Sequence, residues 1–380
     1  MREFDVFVAG AGPAGLACAC GMAAKGLSVA LADPAPPLPP GERRQDRRTV
    51  AVLRPGRALL EGMGAWDALE GPTPLETMRV VDLRGGASAG FESREVGEAP
   101  FGWNVPTGEL RAALEARASE LGVERIGGGV EGVVARSEEV LATVAGGRVR
   151  ARLLVGADGK ESAVRAALGI GVREVRTGQK ALSFSVRHPV AHANVSTELY
   201  DREGPLVLVP LPDENGAHRS AVVWMVSGPE AERLLALPEA EFAAAATERS
   251  GGTLGPLAPE GAPSVFPIVT RVATRLTGPR AVLIAEAAHA LPPIGAQGLN
   301  TSLGDVAELL AQVGEDPGAP SALARWARRR WPEIASKVAA VTALNAASIG
   351  GPLGMLRGPA IAALARAPGL RRGLMRFGLG

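Results

Sequence analysis

Residues 281–305, AVLIAEAAHALPPIGAQGLNTSLGD, are the stretch from which the fold can be worked out. They open with an apolar run, Val282, Leu283 and Ile284, which predicts a buried strand. A loop with two prolines and two glycines follows, and the pattern then becomes helical. Such a loop lets backbone N–H groups approach a ligand closely, and the helix N-terminus behind it favours an anion or an electron-rich group.

A second strand–glycine–helix unit lies near the start of the chain. Residues 4–16, FDVFVAGAGPAGL, place Gly10, Gly12 and Gly15 in the spacing G-x-G-x-x-G, and a second predicted strand ends at Asp33. In dinucleotide-binding folds these glycines form a tight turn against the pyrophosphate, and an acidic residue after the second strand binds ribose hydroxyls. We therefore predict one adenine-dinucleotide site built from both ends of the sequence.

Charge balance and cysteine count narrow the class of protein. The 380 residues carry 41 basic and 40 acidic side chains, so nucleic acid is not an expected partner. Cys18 and Cys20, the only cysteines, rule out a disulfide framework and a zinc site on count. His188 and His192 have no carboxylate cluster beside them, so no metal site is predicted. The sequence starts unlike a signal peptide and has no uninterrupted apolar run of bilayer length, so we expect a cytoplasmic protein.

Strand patterns dominate the middle of the chain. Residues 180–226 predict four strands, ALSFSVRH, STELY, PLVLVPL and SAVVWMV, which is typical of an antiparallel sheet inserted in an α/β chain. Two shorter strands are predicted within residues 78–95. In the larger group Pro210 and Trp224 either line an apolar substrate pocket or pack beneath it, and Tyr200 is expected to pack in the core.

Two further segments carry candidate ligand contacts. Residues 34–48 predict a proline-rich and then basic loop, and a helical pattern, TVAVLRPGRALLEGMG, follows directly. Arg48 therefore lies before a predicted helix, where a guanidinium group is placed to meet phosphate or ribityl oxygens. Farther on, a strand over residues 149–155 delivers Asp158 and Gly159 at its end, before another helix.

The last segment allows two interpretations. Residues 352–380 contain five arginines and no acidic residue, with apolar residues between them. One interpretation is a C-terminal helix docked on the body of the protein. The other is a basic interfacial helix that contacts a membrane surface or a protein partner.

Four segments in this order resemble the FAD-dependent aromatic hydroxylases of the para-hydroxybenzoate hydroxylase type. They are GAGPAG from residue 10, D-x-R-x-x-A-V from 46, GADGKESAVR from 156 and AAHALPPIGAQGLNTSLGD from 287. GQKALSFSVRH, GPLVLVPLP and HRSAVVWMVS are similar, more narrowly, to the ubiquinone-biosynthesis hydroxylases of that superfamily. The resemblance implies an α/β fold with a three-layer, Rossmann-like FAD-binding domain of the glutathione-reductase type. It places that domain at residues 1–75, 98–175 and 262–345, an antiparallel substrate domain at 76–97 and 176–261, and a helical tail at 346–380.

The resemblance also implies how FAD is held. The residues expected at its pyrophosphate are Gly10, Gly12, Gly15, Asp158 and Gly159. Asp33 would bind the adenosine ribose and Arg48 the ribityl-phosphate side. Asp158 and Gly159 are also candidates for contact with NAD(P)H, one possible electron donor.

The flavin ring itself is expected at the later glycine loop. The resemblance places Pro293 beside the isoalloxazine and assigns backbone contacts with its polar edge to Gly298, Leu299 and Asn300. Glu286 stands where the family usually has an aspartate that binds a ribityl hydroxyl, and it extends the charge by about one methylene.

The reaction implied is hydroxylation of a phenol ring through a C4a-hydroperoxyflavin, from which water must be kept away. The apolar phenolic substrate would be a polyprenylated phenol in ubiquinone biosynthesis, with the protein in a quinone-synthesis complex or at the inner face of the membrane. Two alternatives are a hydroxylase of a small soluble aromatic or secondary metabolite, and a scaffold of such a complex with weakened flavin binding. No side chain is predicted to deprotonate the substrate, and His289 is expected to orient its loop.

Overall fold

The computed structural model describes residues 1–37, 48–97, 100–202, 204–349 and 354–379. Its strands are β1 (Arg2–Ala9), β2 (Val29–Asp33), β3 (Thr49–Leu53), β4 (Thr73–Leu75), β5 (Thr77–Asp82), β6 (Ser88–Glu92), β7 (Gly102–Pro106), β8 (Glu124–Gly127), β9 (Val130–Ala135), β10 (Val140–Val144), β11 (Gly147–Gly156), β12 (Val172–His188), β13 (Val195–Tyr200), β14 (Pro205–Glu214), β15 (Ala217–Ser227), β16 (Ala258–Pro259), β17 (Ser264–Ala273), β18 (Thr277–Gly278), β19 (Ala281–Leu283) and β20 (His289–Ala290). Its α-helices are α1 (Pro13–Ala24), α2 (Arg54–Gly62), α3 (Thr107–Glu120), α4 (Ala163–Ala167), α5 (Gly228–Leu235), α6 (Glu239–Arg249), α7 (Ala285–Ala288), α8 (Gln297–Gln312), α9 (Pro320–Ser348), α10 (Arg357–Arg366) and α11 (Pro368–Leu379). Most of the predicted proline-rich and basic loop, including Asp46 of the second motif, lies outside the described residues.

A sheet with a parallel centre carries the two glycine loops. Among the described strands its order is β18-β19-β11-β1-β2-β8, and β10 and β9 extend it from β11. The inner residues of β1 are fully buried, as expected for a strand with both faces covered. At the ends of the strands Ala9 pairs with Gly156, and Gly156 pairs with Leu283. Because parallel strands end at one edge, the segments after β1, β11 and β19 meet there.

The second sheet is antiparallel for most of its width. Its order is β20-β17-β12-β15-β14-β13-β5-β6, with β16 beside β12. The predicted fold class, an α/β chain with a separate antiparallel sheet and a helical tail, is confirmed. The domain bounds stay a prediction, but parts of the segment 262–345, which the sequence analysis gave to the FAD-binding domain, lie in this second sheet. Ser264–Ala273 pairs antiparallel with β12 and is therefore a strand of this second sheet.

The helical pattern predicted directly after Arg48 is wrong in its first five residues. Thr49–Leu53 is a strand, paired antiparallel with β7 in a three-stranded sheet of order β3-β7-β4. The helix begins only at Arg54, with Pro55 in its first turn. Valine and threonine favour a strand, and proline fixes the backbone of a first helical turn, so the helix starts beside Pro55.

The C-terminal helices are docked on the body. Ile361 of α10 and Met375 of α11 join Phe91 and Phe101 in a buried apolar cluster. A buried ion pair adds to this contact, since Arg357 Nη2 lies 2.7 Å from Asp82 Oδ1. No helix in the described ranges combines the length and the apolar character needed to cross a membrane.

Candidate active site

The first glycine loop lies at the carboxyl edge of the parallel sheet. Gly10 has φ +104°, and a Cβ there would lie 2.2 Å from the carbonyl oxygen of Ala157. A Cβ on Gly15 would lie 2.0 Å from the oxygen of Gly10, so both glycines are required for backbone packing. A Cβ on Gly12 would meet nothing within 4 Å. The N-terminus of α1 therefore faces open space, as an anion-binding helix end does.

Asp33 closes this loop at the end of β2. Its Oδ2 accepts a hydrogen bond from the Ala11 N–H at 2.6 Å, and its Oδ1 accepts one from the Ala35 N–H at 2.8 Å. A carboxylate oxygen has a second lone pair, so each remains able to accept a ribose hydroxyl. The side chain is half-buried beside the loop, where a ribose next to the pyrophosphate would lie.

Arg48 and Asp158 have contacts of their own. The Arg48 guanidinium lies 5.9 Å from the centre of the Phe266 ring, and the Arg48 side chain is exposed. Asp158 Oδ1 accepts from Ser162 Oγ, and its Oδ2 accepts from the Val164 N–H at 3.1 Å. Asp158 thus stabilises the first turn of α4, while Gly159 beside it has φ +82° and open space next to its Cα.

The second glycine loop ends at the N-terminus of α8. Gly295 and Ala296 are both left-handed, with φ +62° and +57°. First-turn N–H groups have no acceptor within a helix, so those of Gly298 and Leu299 point out of its end. A Cβ on Gly298 would meet nothing within 4 Å, and Pro293 before the helix is exposed. The loop therefore offers backbone donors and an open surface, as predicted for a flavin ring.

The side chain of Asn300 ties this helix to the rest of the site. Its Oδ1 accepts from the Leu53 N–H at 2.8 Å, and its Nδ2 donates to the Ala51 and Ala296 oxygens, both at 2.7 Å. Only its backbone was given a role from the sequence. The side chain joins α8 to β3, so it fixes the position of the helix N-terminus.

A buried charged cluster holds the base of the loop. Asp305 Oδ2 accepts from His289 Nε2 at 2.7 Å and from the Ala285 N–H at 3.1 Å, while its Oδ1 accepts from Arg330 Nε at 2.9 Å. Burial opposes ionisation of Asp305, but His289, Arg330 and the Ala285 amide together lower its pKa. These contacts favour the orienting role expected of His289.

Ala285 and Glu286 are the residues at which the chain departs from the family motif. Ala285 has φ +54°, a left-handed conformation that glycine adopts at lower cost. The Glu286 side chain is about half exposed, with Lys160 Nζ 3.6 Å from its Oε1. Glu286 therefore lies at the protein surface beside Lys160, and its contact with a ribityl hydroxyl stays a prediction.

An apolar cavity of about 370 Å³ adjoins the second glycine loop. Ile294, Gly295 and Gln297 form the wall towards the loop. The antiparallel sheet and β3 supply Leu53, Met78, Val80, Ala89, Phe91, Glu198 and Tyr200, and the C-terminal helices supply Ile361, Leu364, Leu374, Met375, Phe377 and Leu379. The tail therefore completes a cavity that the rest of the chain leaves open.

Glu198 and Tyr200 form the polar part of this wall. The two side chains lie on one face of β13, and Tyr200 Oη donates to Glu198 Oε2 at 2.9 Å. Tyr200 is buried as predicted, but it also borders the cavity. Sequence reasoning missed Glu198, although the spacing of two residues in STELY places it on the face of Tyr200.

Pro210 and Trp224 do not occur among the described residues that line this cavity. Trp224 packs instead with Phe184 and Phe242 in a separate buried cluster beneath α5 and α6. The Pro210 oxygen accepts from Asn104 Nδ2 at 2.8 Å. Of the two interpretations of Trp224, the structure favours packing behind the sheet.

The residues present fit an FAD molecule. Open space at Gly12 and Gly298 lies at the N-termini of α1 and α8, which would hold the phosphates and the flavin ring respectively. An apolar cavity adjoins the flavin end. Fold and site together define a flavoprotein with an apolar cavity beside its second glycine loop.

Comparisons with known proteins specify the family. The chain belongs to the family described as FAD binding domain, whose model matches residues 3–340. It is 34% identical to the ubiquinone hydroxylase UbiL of Rhodospirillum rubrum, over 99% of this chain and 89% of that protein. It is 26% identical to the 3-demethoxyubiquinol 3-hydroxylase of Escherichia coli, over 99% and 98% of the two chains. The crystal structure of p-nitrophenol 4-monooxygenase PnpA from Pseudomonas putida shares the fold, with a TM-score of 0.80 and 19% identity over 100% and 99% of the chains. The protein is an FAD-dependent monooxygenase.

Proposed function

We propose that this monooxygenase hydroxylates the aromatic ring of a polyprenylated phenol in ubiquinone biosynthesis. The observation that carries the proposal is the cavity beside the second glycine loop (residues 291–296, called the flavin loop from here on). The cavity is apolar except for a few polar side chains. A phenol with an isoprenoid chain has the same distribution, with one polar group on a large apolar body. The names of the relatives in Rhodospirillum rubrum and Escherichia coli support the same substrate class.

Different groups of the chain would bind FAD and keep water away from it. Gly10, Gly12 and Gly15 hold the pyrophosphate, and Asp33 binds the ribose. The first turn of α8 would present backbone donors to the flavin ring, and a reduced flavin bound there would supply the activation of O₂, with NAD(P)H or another donor as the source of electrons. The apolar walls exclude water from the reacting centre, which protects a reactive oxygen species from wasteful decay.

The mouth of the cavity supports delivery of the substrate from a membrane surface. Leu344, Leu374 and Phe377 line the cavity and are also 51, 44 and 48% exposed. Leu344 lies on α9 and the other two on α11, and exposed arginines stand on α10 and α11, at Arg366 and Arg372. A basic surface with exposed apolar side chains fits an anionic bilayer, so we propose peripheral contact of this face with the inner side of the membrane.

Vesicle flotation of the full chain tests the membrane contact. We expect flotation with anionic vesicles, little with neutral ones, and a loss of at least fivefold for Phe377→Asp. Val134→Asp, at an exposed apolar residue of the parallel sheet, is the matched control. Equal flotation of the two variants, or none for the wild type, contradicts the proposal.

The function itself is tested in three steps. The purified protein should show a flavin spectrum, and colourless protein that cannot be reconstituted with FAD would favour the scaffold hypothesis. The FAD-loaded protein with a reductant should then add one oxygen atom to 2-geranylphenol, as seen by mass spectrometry. Finally, a deletion strain should lose ubiquinone and accumulate a phenolic precursor. A normal ubiquinone level contradicts the proposal and favours the alternative, a small soluble aromatic substrate.

A further inference from the structure

The polar groups that border the cavity differ in how their charge is balanced. Lys337 Nζ lies 2.9 Å from Glu333 Oε1, and Arg357 is paired with Asp82. Glu198 has no cationic partner among the described residues. It is 7% exposed and accepts a hydrogen bond from Tyr200, while the backbone N–H of Gly295 interacts with the same carboxyl group.

A buried carboxyl group without a cation is costly to keep for packing alone. Moving an unpaired charge out of water costs several kcal/mol, about as much as a small domain can lose. Glu198 projects from β13 of the antiparallel sheet towards Gly295 of the flavin loop. Both residues line the cavity, so a substrate held there beside the flavin loop lies next to Glu198. A position of this kind, with a perturbed ionisable group in an apolar chamber, is typical of acid–base catalysis.

We propose that Glu198 is the base that takes the phenolic proton of the substrate, and that Tyr200 positions its carboxylate. This inference rests on the proposed function, since it needs a phenol in the cavity. The phenolic O–H bond breaks, its proton forms an O–H bond on a Glu198 oxygen, and the electron pair stays on the phenol oxygen. The resulting phenolate ring is more electron-rich and accepts an electrophilic oxygen more readily. Glu198 then returns the proton to the ring oxygen, so no net proton is consumed at this residue.

The surroundings of Glu198 suit this role. Burial raises its pKa, against the opposing effects of the Tyr200 hydroxyl and the Gly295 amide. A carboxylate with a raised pKa is a stronger base towards a phenol, whose own pKa is about 10. Besides Tyr200, the other ionisable groups among the described residues that line the cavity are Lys337 on α9 and Arg357 on α10, and each of these two has a carboxylate partner.

Turnover of 2-geranylphenol by the FAD-loaded full chain tests the proposal, with Glu198→Gln as the main variant. Glutamine keeps the size and the acceptor for Tyr200 but takes up no proton. We expect kcat to fall about a hundredfold to ten-thousandfold at neutral pH. The dissociation constant of the phenol, measured by quenching of flavin fluorescence, should change less than threefold. Glu214→Gln, at an exposed end of β14, is the control and should keep wild-type kcat.

The pH profile separates a base from a structural residue. Wild-type kcat should rise with pH as Glu198 ionises, with a midpoint above its ordinary pKa of 4.5. In Glu198→Gln this limb should disappear, and kcat should rise about tenfold per pH unit towards the pKa of the free phenol, near 10. Ionised substrate needs no base, so the defect should be rescued there.

Tyr200→Phe provides a second variant if Glu198→Gln loses FAD. Loss of the donor raises the pKa of Glu198 further, so the acidic limb of kcat should move to higher pH. Near-wild-type kcat for Glu198→Gln, an equal loss at every pH, or an unmoved limb in Tyr200→Phe would overturn the role of Glu198 while the proposed function stands. A wild-type protein that binds FAD but hydroxylates no phenol would overturn both.

Discussion

Substitution of Asp305 by asparagine tests whether the buried charged cluster holds the flavin loop. Asparagine keeps the shape of the side chain but removes the charge, and its amide nitrogen must face either His289 Nε2 or Arg330 Nε. Removing one partner of a buried ion pair costs about 3–5 kcal/mol. Arg330 keeps a contact with Glu333 and donates to the Thr301 oxygen at 3.1 Å, so we expect the lower end, about 3 kcal/mol.

The expected change in melting temperature follows from chain length. Unfolding entropy of about 2.1 cal/mol/K per residue gives roughly 0.8 kcal/mol/K for 380 residues. A loss of about 3 kcal/mol therefore lowers Tm by roughly 4 °C. Glu308→Gln, on the same helix, removes an exposed pair with Arg329 and should lower Tm by less than about 1 °C.

The difference between wild type and Asp305→Asn should also depend on pH. The folded-state pKa of Asp305 is lowered, so its ionised form stabilises the protein above its unfolded-state pKa of about 3.9. The difference in Tm should be constant from about pH 5 to 7 and should shrink as the pH falls below about 4. Differential scanning calorimetry of the FAD-free and FAD-loaded proteins measures it. A Tm within 1 °C of wild type, or equal to that of Glu308→Gln, would refute the reasoning.

Three further predictions concern the first helix and the strained turn. Gly12→Ala should keep the Tm of the FAD-free protein within about 1 °C of wild type, because the added Cβ meets no atom, but it should weaken FAD binding at least tenfold in fluorescence titrations. Gly15→Ala should lower both the Tm and the affinity for FAD, because its Cβ would clash with the Gly10 oxygen. Ala285→Gly should relieve the strain of the left-handed conformation and raise the free energy of unfolding by up to about 1 kcal/mol in urea titrations. A lower free energy of unfolding would contradict the inference that Ala285 is strained. Cys18 and Cys20 are buried, which raises the pKa of each thiol to about 12, so neither should react with iodoacetamide until the protein unfolds; labelling of native protein at pH 8 would contradict this.

Local patterns in the sequence predicted much of the fold. The glycine spacing and the apolar runs identified the parallel strands, and the strand patterns within residues 180–226 predicted β12, β13, β14 and β15. These features depend on neighbours within one turn or one strand. The segment Thr49–Leu53 was mistaken for helix because its strand partner, β7, lies about fifty residues away and leaves no local trace.

The cavity beside the flavin loop was less predictable, because contacts between distant segments leave no local trace in the sequence. Its walls come from strands, a loop and helices that are distant in sequence, so no periodicity shows that they meet. Glu198 carried one local signal, its spacing from Tyr200, but a glutamate in a strand is usually exposed at an edge. Only the tertiary structure shows that this strand is inside the sheet and that its face is covered by the C-terminal helices.

The two interpretations of the C-terminal tail are compatible, because its helices carry both buried and exposed apolar residues. Ile361 and Met375 are buried in the apolar cluster with Phe91 and Phe101, while Leu374 and Phe377 are about half exposed. All four residues of the tail line the cavity. Gln297 Nε2 donates both to the Gly295 oxygen, at 2.9 Å, and to the Gly378 oxygen, at 3.3 Å, so the end of the tail is bonded to the flavin loop. A tail docked in this way forms one wall of the cavity and leaves Leu374 and Phe377 exposed at its mouth. The proposed membrane contact at the cavity mouth therefore requires that the tail is docked on the body, because residues of the docked tail form that mouth.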